Sequence, residues 1–153
     1  MLTNTIALGL ILGMSATLSY AQAAKPDPDT SWHASIIFAG WTAVGTGSDG
    51  TMYFARPPYS VGATRRMWVR IEHSSPNYSD GSYHGLSETD LREFVCAEQK
   101  SRFLAYTEYR LHNNEEPISN HVIDFEQWSY PAPDTIGGEL LKMACTSGNK
   151  IQP

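Results

Sequence analysis

The sequence is poor in basic residues, and this limits the partners that it can bind. It has 11 lysines and arginines against 16 aspartates and glutamates, which gives a net charge of −5 at pH 7. A chain that binds nucleic acid needs a basic surface, so this balance argues against a nucleic-acid partner. The sequence also has no long acidic or basic run that would form a charged tail.

Recognisable catalytic and metal-binding motifs are also missing. No GxSxG, HExxH or CxxC pattern occurs. His112, His121 and Asp124 have the chemistry of metal ligands, but two histidines and one aspartate on a turn and a weak strand are more often solvated. The pair Glu115-Glu116 is predicted to lie on a solvated turn. We therefore expect no enzyme activity, no metal site and no cofactor.

One glycine-rich segment resembles a nucleotide-binding loop. The segment Gly45–Gly50 matches the pattern GxGxxG. That pattern binds phosphate only where a helix follows, because the helix N-terminus faces the phosphates. Here the segment Thr51–Phe54 follows, and its composition is typical of a strand. We therefore interpret the segment as the turn of a β-hairpin.

The N-terminus predicts export from the cytosol. Residues Met1–Ala23 contain a short apolar run and end in the small-x-small pattern of a signal peptide. The apolar run is too short to predict a membrane-spanning helix. We expect a flexible linker over 24–30, a single domain over 31–148 and a disordered tail over 149–153. The mature protein is then periplasmic, at the cell surface or secreted.

The sequence contains only two cysteines, Cys96 and Cys145. In an exported chain, two cysteines most simply form one disulfide. The alternative is a pair of buried free thiols. A disulfide closing a loop of this length stabilises the folded chain by roughly 4 kcal/mol in the chain-entropy model.

A C-terminal helix is predicted over Asp134–Cys145. Asp134 or Thr135 is a suitable N-cap, because the side chain of either residue accepts hydrogen bonds from backbone N–H groups. Five apolar residues share one helical face, and Cys145 lies at its edge: Ile136, Leu140, Leu141, Met143 and Ala144. A disulfide to Cys96 would then hold this helix against a sheet.

The rest of the chain predicts strands, which makes the fold class α+β: a small antiparallel sheet with the C-terminal helix packed on one face and tied by a disulfide. Ser31–Phe38 is either a strand or a short helix. Both faces of Ser101–Leu111 carry large side chains, which is typical of a central strand covered on both sides. The predicted strands are Trp41–Val44, Thr51–Phe54, Thr64–His73, Thr89–Cys96, Ser101–Leu111 and the weaker Ile118–Trp128.

Candidate binding residues come from one strand and one loop. Within Thr64–His73, alternate residues from Met67 to His73 are predicted to face the core, and the intervening residues Arg66, Trp68, Arg70 and Glu72 the outside. Trp68 between Arg66 and Arg70 suits a contact surface, because Trp and Arg are enriched at binding hot spots. The alternative is that a neighbouring segment covers Trp68. The long loop Ser74–Ser87 carries three further candidates, which either bind a partner or pack on the domain: Tyr78, Tyr83 and His84.

Several of these features occur together in a known family. The sequence resembles the bacterial surface-adhesin protein E family from Trp41 to Cys145. The stretches that carry the resemblance are Trp41 with Ser48–Tyr53, Met67–Ile71, Glu93–Cys96 with Arg102, and Trp128 with Pro133–Leu141 and Cys145. The resemblance implies a small antiparallel sheet, a C-terminal helix held by a Cys96–Cys145 bridge, and an exported bacterial protein. In some members it implies a surface adhesin that binds host matrix proteins.

Three functional hypotheses follow. The first is an exported, non-enzymatic binding protein with an unknown protein ligand, such as a component of the host extracellular matrix. The second is a periplasmic structural or accessory protein whose partner is a second copy of itself, because exposed sheet edges favour pairing between strands. The third, a hydrolase that uses His84 or His112, has no motif to support it.

Overall fold

The computed structural model describes residues 29–76, 78–79, 82–124 and 127–146, and only the backbone at 78, 79, 82 and 83. The predicted signal peptide, residues 24–28 of the linker and the predicted C-terminal tail lie outside this range. Within it, no helix has the length and apolar character needed to span a membrane.

Strands dominate the described residues. Nine strands are followed by one α-helix, α1, at Ile136–Thr146. Short 3₁₀ turns lie at Ser31–Ser35, Cys96–Glu98 and His112–Asn114. The strands are β1 (Thr42–Thr46), β2 (Met52–Ala55), β3 (Tyr59–Val61), β4 (Thr64–Glu72), β5 (Tyr78–Ser79), β6 (Ser82–Tyr83), β7 (Ser87–Val95), β8 (Lys100–Leu111) and β9 (Glu115–Val122).

Seven of these strands form one antiparallel sheet in the order β1-β2-β4-β7-β8-β9, and β3 pairs with the first residues of β4. Strands β5 and β6 form a separate two-stranded ribbon within the predicted loop. The predicted hairpin of Trp41–Val44 and Thr51–Phe54 is confirmed, since β1 pairs with β2. The GxGxxG segment begins in β1, and its last four residues, Gly47–Gly50, lie in the turn. In that turn the Asp49 carboxylate accepts hydrogen bonds from the N–H and hydroxyl of Thr51.

The core lies between the sheet and α1. Met67, Val69 and Ile71 are buried on one face of β4, as their alternation predicts. The helix contributes Leu140, Leu141 and Ala144 to the same cluster, and Ile136 and Met143 pack at its edge. Fully burying an aliphatic side chain contributes about 1.5–3 kcal/mol. The predicted fold class is therefore confirmed.

The start of α1 explains one of its two glycines, Gly138. Of the two predicted N-caps, Thr135 is the one used: its hydroxyl accepts a hydrogen bond from Gly138 N–H at 3.1 Å. Asp134 has a positive φ of 60° and precedes the helix. A Cβ on Gly138 would lie 2.4 Å from the carbonyl oxygen of Ala132, so the close approach of the preceding segment requires glycine there.

The predicted disulfide is confirmed. Cys96 immediately follows β7, Cys145 lies in the last turn of α1, and their Cα atoms are 5.5 Å apart. The alternative of two free thiols is therefore wrong. The covalent link holds the C-terminal end of the helix against the end of a central strand.

The structure decides one open alternative and corrects two strand predictions. Of the strand and the short helix considered for Ser31–Phe38, the short helix is present, as the 3₁₀ turn Ser31–Ser35. Strand β9 begins at Glu115, so Glu115 and Glu116 are exposed strand residues rather than part of a turn. β8 is not covered on both sides, because most of its side chains are only half-buried. It is the last strand but one, and α1 packs on the sheet over β1, β4 and β7 instead.

Candidate binding face

The sheet face opposite the helix carries the even-numbered residues of β4, among them Trp68. The prediction that Arg66, Trp68, Arg70 and Glu72 face solvent is wrong for the last two, which expose 3% and 0% of their surface. Arg70 Nε donates to Glu72 Oε1 at 2.6 Å, and Arg70 Nη1 donates to the carbonyl oxygen of Ile37 at 3.0 Å. The segment 31–41 therefore packs over this end of the face, and Arg70 is inaccessible to a partner.

The buried Arg70–Glu72 pair belongs to a larger polar network. The other carboxylate oxygen of Glu72 lies 2.9 Å from His112 Nδ1, and Trp32 stacks on the His112 ring at a centroid distance of 4.7 Å. Asn113 N–H donates to Glu72 Oε1, and its side-chain oxygen accepts from Ile37 N–H. A buried charge pair is tolerated only with such additional hydrogen bonds. His112 therefore has a structural partner.

Arg66 lies at the other end of the face and is also paired. Its guanidinium donates twice to Glu93 Oε1, at 3.1 and 3.0 Å, while Arg102 donates twice to Glu93 Oε2, at 2.9 and 2.6 Å. Burial raises the pKa of Glu93, but the hydrogen bonds from Arg102, Arg66 and Thr64 outweigh burial and hold that pKa below its usual value. Arg102 also stacks over Trp128 at 4.5 Å.

Between these two ends, Trp68 exposes 36% of its surface and forms one wall of an open cleft of about 340 Å³. We call this the Trp68 cleft. Its lining residues are Trp41, Arg56, Trp68, Thr89, Thr107, Tyr109 and Asn114.

The sheet register builds the floor of the Trp68 cleft. Thr89 on β7 pairs directly with Thr107 on β8, so their side chains lie side by side on one face. Thr89 is 8% exposed, and its buried Oγ1 makes no hydrogen bond within the described part of the chain. Leaving a buried hydroxyl unpaired costs about 1–3 kcal/mol. The rim carries Arg56, whose guanidinium lies 4.7 Å from the centre of the Trp41 ring.

His84 does not join this cleft. Its Nδ1 lies 2.6 Å from Glu108 Oε1. Glu108 pairs with Glu88, and Glu88 pairs with the core residue Ile71, so His84 contacts the helix-side face of the sheet. Tyr78 and Tyr83 pair with each other across the β5–β6 ribbon, and their side chains lie outside the described atoms. Of the four predicted contact residues whose side chains are described, only Trp68 lines the cleft, and Arg66 is nearby but paired.

A second group of charged residues surrounds His84. Glu88, Glu108, Phe103 and Tyr106 line a cavity of about 300 Å³ together with His84 and Ile123. Burial, a hydrogen bond to Asp90 and repulsion from the Asp90 and Glu108 charges raise the pKa of Glu88 to about 9. Glu88 is therefore neutral at pH 7. No group of three or more possible metal ligands is arranged to hold a metal ion in the described part of the chain.

Sequence reasoning missed most of the cleft. Trp41 was predicted only as a strand residue, and Arg56 lies between two predicted strands and was given no role. Thr89, Thr107 and Tyr109 are ordinary strand residues whose proximity depends on pairing between strands distant in sequence. The alternation within β8 does place Thr107 and Tyr109 on one face, and that signal was available.

Comparison with known proteins agrees with this architecture. The family model described as surface-adhesin protein E matches residues 41–146. Among solved structures, Haemophilus influenzae protein E in its crystal form II is similar with a TM-score of 0.55 and 12% sequence identity, over 80% of this chain and 96% of that chain. At this identity the similarity concerns the fold alone. A search of curated proteins found no significant match.

Proposed function

Because the chain belongs to the surface-adhesin protein E family, we propose that it is an exported, non-enzymatic protein that adheres to host or extracellular matrix proteins. The family description supports a cell-surface protein with a binding role. The observation that carries the proposal is the Trp68 cleft, which lies on the sheet face that the helix leaves uncovered.

The cleft has the composition of a binding hot spot. Partly exposed aromatic residues beside an arginine supply most of the affinity at many protein interfaces. Trp68, Trp41 and Arg56 form such a group. Arg66 contributes less in this proposal, because its guanidinium is already held by Glu93.

The test is binding of the purified, oxidised protein to a panel of immobilised matrix proteins. Trp68→Ala is expected to weaken binding by about 30-fold or more, as loss of a hot-spot side chain usually does. The matched control is Tyr130→Ala, because Tyr130 is an exposed aromatic residue outside the cleft. Equal binding by the two variants, or no binding by the unmodified protein, would contradict the proposal.

His84, Tyr78 and Tyr83 remain proposed contacts, and His84 lies on a surface separate from the cleft. His84→Ala tests them independently, because His84 contacts the helix-side face. Loss of binding in His84→Ala with full binding in Trp68→Ala would move the contact surface from the cleft to this loop.

Self-association through the sheet edge is a second candidate. Edge strand β9 exposes Ile118 and 75% of Val122. Exposed apolar residues on an edge favour pairing with a second copy. Sedimentation would show a dimer that Val122→Lys dissociates; a monomer at micromolar concentration would exclude this candidate.

A further inference from the structure

We propose that the Trp68 cleft binds one acidic pyranose ring, a uronic or a sialic acid, carried on an extracellular glycan. This inference rests on the proposed binding function and names the ligand of the same site. Three features of the cleft support it: its aromatic walls, its hydrogen-bond donors and its one arginine, which has no carboxylate partner among the described residues.

The aromatic walls suit a sugar ring. Trp41, Trp68 and Tyr109 contribute aromatic side chains to the lining of the cleft. The face of an aromatic ring is electron-rich, and it attracts groups with partial positive charge. The C–H groups on one face of a pyranose have this character. The volume of about 340 Å³ is at the lower end of the range for small-molecule sites, about 300–1,000 Å³, and suits a single sugar unit.

The polar lining is rich in donors. Asn114 Oδ1 accepts from the Ser87 hydroxyl, which leaves the Asn114 NH₂ group as a further donor. Thr107 lies on the floor of the cleft beside Thr89 and adds a hydroxyl. None of the seven lining residues is a carboxylate. An occupant with many acceptor oxygens would pair these groups, and a sugar has such oxygens at several ring positions.

The charge at the rim selects an acidic sugar. Arg56 is exposed and stacks on Trp41, and it forms no ion pair with any described residue. Arg66 and Arg70, by contrast, are both ion-paired to glutamates. Arginine pairs with carboxylates through two parallel hydrogen bonds, so Arg56 is placed to hold the carboxylate of the sugar.

The experiment compares two sugars that differ at one group. Methyl β-glucuronide carries a carboxylate where methyl β-glucoside carries a hydroxymethyl group. Each is titrated into the ¹⁵N-labelled, oxidised protein, and the four tryptophan indole N–H signals are followed by NMR. The glucuronide is expected to shift the signals of Trp41 and Trp68, leave those of Trp32 and Trp128 in place, and bind about tenfold or more tightly than the glucoside, as expected for a charge-assisted contact.

Two variants test the residues that carry the inference. Arg56→Gln is expected to reduce the preference for glucuronide to less than about threefold, because the charge-assisted pair is lost. The control is Arg110→Gln, since Arg110 is an exposed arginine on β8 that does not line the cleft. Trp68→Ala is expected to abolish the shift of Trp41. Near-ultraviolet circular dichroism confirms that each variant is folded.

A parallel titration with the methyl glycoside of N-acetylneuraminic acid distinguishes a sialic acid from a uronic acid. Absence of shifts with both acidic sugars, equal binding of glucoside and glucuronide, or equal shifts of all four tryptophans would overturn the inference. Tighter binding of an aspartate-containing peptide than of either sugar would also overturn it, in favour of a peptide site. If Trp68→Ala abolishes matrix binding while no sugar binds, the inference about the sugar ligand is wrong and the proposed function stands. If the unmodified protein binds no matrix protein, the proposed function itself is wrong.

Discussion

Replacing Glu88 by glutamine should remove much of the pH dependence of stability. Glu88 lies on β7 opposite Glu108 on β8, and it is half-buried beside the fully buried Asp90. Arg92 binds one oxygen of Asp90 and only partly compensates the negative charge of the group. Glutamine keeps the shape of the neutral acid and can donate a hydrogen bond as that acid does, but it cannot ionise.

The magnitude follows from the pKa of Glu88, which burial and its neighbours raise from 4.5 to about 9. A group with a raised pKa stabilises the fold fully below its unfolded pKa, and this contribution is lost as the pH rises towards the folded pKa. One pKa unit corresponds to about 1.4 kcal/mol. The folded state therefore loses roughly 3 kcal/mol from Glu88 between pH 4.5 and 7, and roughly 6 kcal/mol by pH 9, as an upper bound.

Urea unfolding at pH 5, 7 and 9, followed by tryptophan fluorescence, measures this effect. Glu88→Gln should match the unmodified protein at pH 5 and exceed its free energy of unfolding by several kcal/mol at pH 9. Burial lowers the pKa of His73, so this residue destabilises the fold as the pH falls below 6.5. His73 is present in both proteins, so its effect cancels when their free energies of unfolding are subtracted. Glu139→Gln, on the exposed side of α1, is the control. Equal pH dependence in the two proteins would refute the assignment of a raised pKa to Glu88.

Three further predictions concern stability. Gly85 has φ of +70°, and a Cβ there would lie 2.0 Å from a β8 carbonyl oxygen. Gly62 also has a positive φ, but its site is open, so Gly62→Ala should lower the free energy of unfolding in urea by about 1 kcal/mol. Gly85→Ala should lower it by much more. Glu72→Gln leaves Arg70 buried without a counter-charge and should cost about 3–5 kcal/mol by the same assay; a loss below 1 kcal/mol would contradict the buried pair. Replacing both cysteines by serine should lower the free energy of unfolding by about 4 kcal/mol. By intact mass, an alkylating agent should add no group to the unmodified protein unless the protein is first reduced.

The sequence was informative wherever a signal is local. Alternation in β4 identified Met67, Val69 and Ile71 as core residues, and the spacing of apolar residues identified the buried face of α1. The sequence could not show that another segment covers the second face of β4. Arg70 was predicted as a contact residue but is buried. The prediction failed because its partners Ile37 and Asn113 lie 33 and 43 positions away in the chain.

The same long-range packing determines where a binding site can form. The helix covers one sheet face, so the opposite face must carry any contact surface centred on β4. At one end of that face, segment 31–41 buries the charges of Arg70 and Glu72; at the other, Glu93 binds both Arg66 and Arg102, and Arg102 stacks on Trp128. The arginines at both ends are thus ion-paired, and the interval between them retains an exposed indole and an arginine without a carboxylate partner among the described residues. A ligand that contacts both gains interactions at the cleft that neither end of the face can offer.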